Sequence, residues 1–178
     1  MTDLSELALK IREAALLEGD FLLRSGKRSS YYLDKYRFGT RPDLLGPLGE
    51  VIATAVHEHA PDAERIGAPE LGAVSLAAAA SLQCDLPFVI VRKEAKEYGT
   101  TNRIEGTFVE GETVCLVEDV VTSGGAAIDA IEALRAVGLR VSNAVCVVDR
   151  EEGGSDALAR IGVRLWPIFL ASTLRSAA

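Results

Sequence analysis

Two adjacent carboxylates, Glu118 and Asp119, stand between an apolar run, Val114-Cys115-Leu116-Val117, and a small polar turn, Thr122-Ser123-Gly124-Gly125. The run has the composition of a buried strand, which places both acids where that strand ends. After the turn, Ile128, Ile131, Leu134 and Val137 recur at helical spacing. A strand, a hydroxyl- and glycine-rich turn and a helix N-terminus together make an anion site. Free backbone N–H groups and the positive end of the helix dipole converge there. The glycines let the backbone approach a phosphate, and Thr122 and Ser123 add hydroxyl donors. Acids beside such a cradle would repel phosphate. They suit the vicinal hydroxyls of a ribose, because a carboxylate accepts hydrogen bonds from two neighbouring O–H groups. The implied ligand is a ribose 5-phosphate unit. No Lys stands beside Ser or Thr as in a Walker loop, and no G-x-G-x-x-G fingerprint occurs. An acidic turn without a ligand would not need Glu-Asp, Thr-Ser and Gly-Gly in this order.

A second stretch carries chemistry of the opposite charge. Arg92, Lys93, Glu94, Lys96 and Glu97 follow an apolar run, and Tyr98, Gly99, Thr100, Thr101 and Asn102 come next. This composition suits a mobile loop. Taken alone it reads as a solvated connection. Beside a ribose phosphate cradle, Arg92, Lys93 and Lys96 are the cations that a pyrophosphate leaving group requires.

The elements that must position these groups alternate along the chain. Leu4, Leu7, Ala8, Ile11 and Ala15 form a helical face capped by Asp3, with Glu6 three residues on. Residues 21–24 and 30–34 predict short strands around Ser25-Gly26-Lys27. Leu44, Leu48, Val51, Ile52, Ala55 and Val56 mark the next helix. Residues 65–67 predict a strand, 73–82 an alanine-rich helix able to pack closely, and 88–91 a buried strand. The strand at 114–117 is followed by a helix over about 126–137. A strand over 141–148, a short helix ending at 158–161 and a strand over 163–170 complete the chain. Alternating β and α units with short connections predict an α/β fold, a parallel sheet covered on both faces. Ligands of such a sheet sit at the carboxyl ends of its strands.

Composition agrees with one domain spanning 1–178. Nearly half the residues (48%) are apolar and 25% charged, as in ordinary soluble proteins. A net charge of −7 argues against a nucleic-acid surface. Cys84, Cys115 and Cys146 are isolated in apolar contexts and read as reduced core residues of a cytosolic protein. No signal segment opens the chain, and no apolar run is long enough to span a membrane.

The stretch from Val114 to Ala126 resembles the 5-phosphoribosyl 1-diphosphate (PRPP) motif of the type I phosphoribosyltransferases. Residues 92–106 are similar to the catalytic loop of the orotate phosphoribosyltransferases, with an Arg-Lys-x-x-Lys-x-His/Tyr-Gly pattern and an apolar-Glu-Gly exit. Residues 21–34, with Arg24 before Ser-Gly and Tyr31-Tyr32 after it, resemble that family's N-terminal hood. Residues 147–154 resemble the strand end whose Arg, here Arg150, meets the orotate carboxylate. A guanidinium fork suits that group.

The resemblance implies a type I phosphoribosyltransferase fold, its twisted sheet flanked by helices. A small hood would be formed by about the first 40 residues and the C-terminal strand region. It implies transfer of ribose 5-phosphate from PRPP to orotate in de novo pyrimidine (UMP) biosynthesis. It assigns catalysis to Lys96, Glu118 and Asp119. PRPP falls to Arg24, Arg92, Lys93, Lys96, Tyr98, Glu118, Asp119, Val120, Val121, Thr122, Ser123, Gly124, Gly125 and Ala126. Orotate falls to Tyr31, Tyr32, Thr122 and Arg150. Mg²⁺ is expected mainly through PRPP, with no direct protein ligand. A cytoplasmic homodimer is implied, loop 92–103 completing the neighbouring site, with no nucleic-acid or membrane partner.

Five positions depart from the family's pattern, among them Leu33, which stands where some members have a second aromatic. Glu118 stands where many members have Asp and Tyr98 where His is common. Residues 66–73 take the place of the family's pyrophosphate loop, whose backbone N–H groups could hold pyrophosphate, and Leu71 stands there where some have Lys. Arg24 replaces a common Lys. Two other readings stay open: a purine phosphoribosyltransferase, and a PRPP-sensing module without catalysis. His57-Glu58-His59 reads as a helix end favoured by the dipole. Trp166 and Phe169 read as packing.

Overall fold

The computed structural model describes residues 2–22, 26, 28–94 and 103–177. The first helix, α1 (Leu4–Ala15), is capped by Asp3, whose side chain accepts from the N–H groups of Ser5 and Glu6. Glu6 does not reach back to the cap. It pairs with Lys10 one turn on, at 2.6 Å.

The chain then enters a hairpin, β1 (Leu16–Leu22) and β2 (Arg28–Leu33), paired antiparallel. The sequence places the first hairpin strand at 21–24. The strand starts five residues earlier because Leu16 and Leu17 pair with Leu33 and Tyr32 directly after the helix. A short helix, α2 (Lys35–Gly39), follows, capped by Asp34. No periodicity in the sequence announces it. Next come α3 (Pro42–His59), β3 (Arg65–Pro69), α4 (Gly72–Cys84) and β4 (Phe88–Val91). Then follow β5 (Ile104–Glu105), β6 (Thr113–Val121), α5 (Gly125–Ala136) and β7 (Arg140–Asp149). The chain closes with α6 (Gly154–Arg160), β8 (Arg164–Leu170) and α7 (Ala171–Ser176).

Six strands form one sheet in the order β5-β4-β3-β6-β7-β8. All pairs are parallel except β4 with β5. One buried apolar cluster joins α1, α3, α4 and α7 to one face of the sheet, and a second joins α5 and α6 to the other. The anticipated close packing of the alanine-rich helix is present. A Cβ on Gly49 of α3 would lie 2.9 Å from the backbone of Ala79 in α4.

Two placements differ from what the sequence predicts. β6 runs on to Val121, so Glu118 and Asp119 lie inside its last stretch. Pairing of Glu118 with Cys146 and of Val121 with Asp149 in β7 extends the strand past the apolar run. The C-terminal strand, expected with the hood, is an edge strand of the main sheet. Its apolar run pairs with β7 from Asn143 to Asp149.

Candidate active site

The strand order reverses between β3 and β6. From β3 the chain moves outward to β4 and β5, then returns to β6 on the other side of β3. In an open α/β sheet the crevice at the carboxyl ends of such a strand pair is where ligands bind. Here that crevice holds Glu70 and Leu71 after β3 and the two acids of β6. A cavity of about 390 Å³ opens there, its wall including Lys35, Glu70, Leu71, Arg92, Lys93 and Glu118. A larger cleft of about 590 Å³, lined by His57, His59 and Trp166, shares no residue with it. Around that cleft His59 stacks on Trp166, with ring centres 3.8 Å apart.

Both acids are buried, Glu118 at 6% and Asp119 at 1% exposure. Buried carboxylates require a cation or hydrogen bonds. Lys35 at the start of α2 supplies the cation. Its Nζ donates to Asp119 Oδ1 at 3.1 Å and lies 2.8 Å from Oδ2, at an angle that makes no hydrogen bond. The backbone N–H of Val120 donates to Oδ1 at 2.6 Å. Burial alone would lower the Lys35 ammonium, but the charge and hydrogen bond of Asp119 hold it above its ordinary value. Burial, joined by the charge of Asp119, pushes the Glu118 carboxyl up to about 8 against the pull of Lys35. One wall of the Asp119 pocket is Gly72. A Cβ there would lie 1.8 Å from Asp119 Oδ2, so only glycine lets α4 begin this close.

The turn after β6 presents the anion cradle. Thr122, Ser123, Gly125 and Ala126 are exposed. Gly124 caps α5 with φ +85°, a backbone conformation suited to glycine. Among the described residues no side chain caps α5, and its first turn contains no acid. The N-terminal N–H groups are therefore open to a ligand. Gly154 supports the turn from beneath, since a Cβ there would lie 2.5 Å from the Thr122 carbonyl oxygen.

Arg92 and Lys93 leave β4 beside this crevice. The Lys93 N–H donates to Glu70 Oε1 at 2.7 Å, and Arg92 Nε lies 3.9 Å from Glu70 Oε2. The Arg92 N–H donates to the Arg103 carbonyl at 2.8 Å and so closes the base of the intervening segment. Lys96, Tyr98 and Arg24 lie outside the described residues.

At the other end of the crevice, the Arg150 N–H donates to the Val121 carbonyl at 2.8 Å. That bond puts the Arg next to the cradle. Its side chain is 8% exposed, pairs through Nη2 with Glu152 at 3.0 Å, and leaves Nε buried without a hydrogen-bond partner among the described residues. Its guanidinium lies 4.6 Å from the centre of the Tyr31 ring. Tyr32 projects from the opposite face of the hairpin. It packs on Phe21 at 5.7 Å between ring centres. The structure thus brings Tyr31 and Arg150 together and leaves Tyr32 on another face.

Residues 65–163 match the phosphoribosyl transferase domain family. The orotate phosphoribosyltransferase of Methanocella arvoryzae is 43% identical over 171 residues, 96% of either chain. The chain belongs to the orotate phosphoribosyltransferase family. The orotate phosphoribosyltransferase of Mycobacterium tuberculosis, solved with Fe(III) dicitrate, superposes with a TM-score of 0.86 at 30% identity. That likeness covers 97% of this chain and 99% of the other. The same enzyme solved with PRPP gives 0.82 at 28% identity, over 98% and 99%.

Seen as an orotate phosphoribosyltransferase, the chain holds site residues that its sequence does not announce. Lys35 is one, and Glu70 and Gly72, though inside the 66–73 segment that the resemblance assigns to pyrophosphate, carry no local sign of the contacts they make. Lys35 follows a hood strand with no pattern around it, and its partner is 84 residues away. Glu70 falls in a loop where only Leu71 stands out. Gly72 gives no sign beyond being a glycine. Among the described residues no group of three or more His, Cys, Asp or Glu is arranged to hold a metal ion.

Proposed function

We propose that this chain moves the ribose 5-phosphate group of PRPP onto a ring nitrogen of orotate, as a step of pyrimidine biosynthesis. The bond from ribose C1 to pyrophosphate oxygen breaks, and a C1–N bond forms. The products are orotidine 5′-phosphate and diphosphate. One observation carries this reading: two buried acids at the switch point of the sheet, followed within one turn by a helix N-terminus that no side chain caps among the described residues.

In this reading the N–H groups at the start of α5, with Thr122 and Ser123, hold the 5-phosphate. Glu118 and Asp119 hold the ribose hydroxyls, with Val120 and Val121 as backbone support. Lys35 and the Gly72 stop fix the Asp119 carboxylate before substrate arrives, so little reorganisation is left for the reaction. Arg24, Arg92, Lys93, Lys96 and Tyr98 serve the pyrophosphate. Tyr31 and Arg150 receive the base, and the unpartnered Nε of Arg150 is a donor that a carboxylate would satisfy.

Mg²⁺ fits this donor set, because hard cations take oxygen ligands and the crevice offers two carboxylates. It would come mainly with PRPP, with Glu118 and Asp119 as the nearest protein oxygens. When bound it neutralises charge on the leaving group. A homodimer in which loop 92–103 completes the neighbouring site belongs to the same reading and rests on the family likeness. So does a cytoplasmic setting, which three buried free cysteines suit.

The test is pyrophosphate release from PRPP and Mg²⁺ with orotate, uracil, adenine and hypoxanthine in turn. Orotate is expected to be the base consumed. Asp119→Asn is expected to lower kcat/KM at least tenfold, as loss of a charge-assisted hydrogen bond of about 1.5–3 kcal/mol requires. Faster turnover of a purine, or no turnover of any base, would favour one of the other two readings.

A further inference from the structure

We infer that Arg175, on the C-terminal helix, is a second guanidinium of the base-binding end and makes the site select a pyrimidine bearing a carboxylate. The inference rests on the reading of Arg150 and Tyr31 given above and adds a residue to it.

The topology places α7 beside Arg150. Asp149 at the end of β7 lies opposite Leu170 at the end of β8, so the two strands deliver Arg150 and α7 side by side. The Ser172 N–H donates to Glu151 Oε2 at 2.8 Å, which ties α7 to the turn containing Arg150. Ala171 and Leu174 are buried and seat the helix, while Arg175 stays exposed. At the other end of α7, Arg12 Nη1 donates to the Ala177 carbonyl at 2.8 Å.

Held this way, Arg175 carries its guanidinium to 4.9 Å from the centre of the Tyr31 ring, against 4.6 Å for Arg150. An aromatic ring attracts a cation within about 6 Å of its centre. One tyrosine therefore gathers two like charges. Their countercharges are unequal. Arg150 pairs with Glu152, whereas among the described residues no carboxylate pairs with Arg175. Within the cluster of Arg150, Glu152, Arg175 and Tyr31 one positive charge is left over, while the neighbouring Glu151 and Asp149 are engaged by the N–H groups of Ser172 and Glu151. The cluster also has an unsatisfied buried donor on Arg150. A single anion would satisfy both needs. A guanidinium recognises a carboxylate through its planar fork, whereas a neutral pyrimidine offers only separate, uncharged carbonyl oxygens.

The nucleotide product and its decarboxylated analogue allow a test that does not depend on turnover. Orotidine 5′-phosphate and uridine 5′-phosphate share the ribose phosphate and differ by the carboxylate. Calorimetric dissociation constants for both nucleotides should show the wild-type protein preferring the carboxylated one. Arg175→Gln is expected to shrink that preference by about fivefold, the loss fitting a partly exposed charged contact, with uridine 5′-phosphate affinity unchanged. Arg175→Lys, which keeps the charge and loses the fork, should fall between. Arg150→Gln serves as the reference and should shrink the preference further. If Arg175→Gln leaves the preference intact while Arg150→Gln abolishes it, the inference is wrong and the base-site reading stands. Equal weakening of both nucleotides by Arg175→Gln would make the residue a prop for Tyr31 and also overturn it. If neither variant alters the preference, the assignment of the base site to Arg150 falls as well.

Discussion

Lys35 and Asp119 are 84 residues apart in the chain and 2.8 Å apart in space. This pair keeps a charged acid at 1% exposure beside a second buried acid. Removing one partner of a buried pair leaves the other uncompensated. Lys35→Met is therefore expected to cost about 1–2 kcal/mol, below the fully buried range because the lysine is partly exposed. For a chain of this size each kcal/mol lowers Tm by about 2–4 °C. The double variant with Asp119→Asn should be more stable than the sum of the two single losses. Strict additivity in thermal melts would show that the pair does not act as one.

Glu118 gives the ligand-free protein a pH signature. Its carboxyl keeps a proton up to about pH 8 in the fold and releases it near the ordinary range when unfolded. Between those values the folded state binds the extra proton. Stability that is complete below the unfolded value is then lost as pH rises through about 8. Glu118→Gln cannot ionise and should escape this loss. Its Tm should exceed that of the wild type at pH 9, and the gap should narrow as pH falls through the window and close only below the unfolded value of about 4.5. Parallel curves of Tm against pH would contradict the assignment.

Gly72→Ala tests the positioning of Asp119 without touching a polar group. The new methyl must displace the carboxylate from which it would stand 1.8 Å. Misplacement of a reacting group by about 1 Å can cost 10²-fold, so a fall in kcat/KM approaching that size is expected. Gly46→Ala in α3 is the control, since a methyl there would meet nothing within 4 Å apart from its chain neighbours and its own helix. It should leave kcat/KM unchanged, and the usual helical gain of alanine over glycine is not expected because Pro47 follows it. Equal activity in both variants would remove Gly72 from the site.

The loop makes a kinetic prediction. If Lys96 meets pyrophosphate mainly in the transition state, Lys96→Ala lowers kcat strongly and scarcely changes PRPP affinity. If the loop also completes the neighbouring site, mixing Lys96→Ala with Asp119→Asn protein should regain activity that neither has alone. Full activity in Lys96→Ala would return residues 92–103 to a solvated connection.

Much of this architecture is legible in the sequence because it is local. The apolar run before Glu118, the helical spacing after Gly125 and the alternation of strands and helices each depend on neighbours in the chain. β1 is misplaced by sequence pattern because Leu16-Leu17 looks like a continuation of the helical face, and only pairing with β2 decides otherwise. The acids stand out because they adjoin the cradle. Their cation does not, because one lysine in a short helix gives no local signal. Tyr31 and Tyr32 cannot be told apart until the hairpin register assigns them to opposite faces. Arg175 follows the last strand in a segment too short to show a helical period.

The contact between Gly49 and Ala79 has a mechanical consequence. Seven residues, about 10 Å of helix, separate Ala79 from Gly72. Backbone meets backbone at Gly49, and backbone meets carboxylate at Gly72, so neither end of that span has a flexible side chain to absorb a push. This part of α4 behaves as a strut between the outer helix and Asp119. A methyl group added at Gly49 would shift the strut bodily and move the far stop. The tolerance of the reaction centre is thus machined partly into a glycine that no substrate meets.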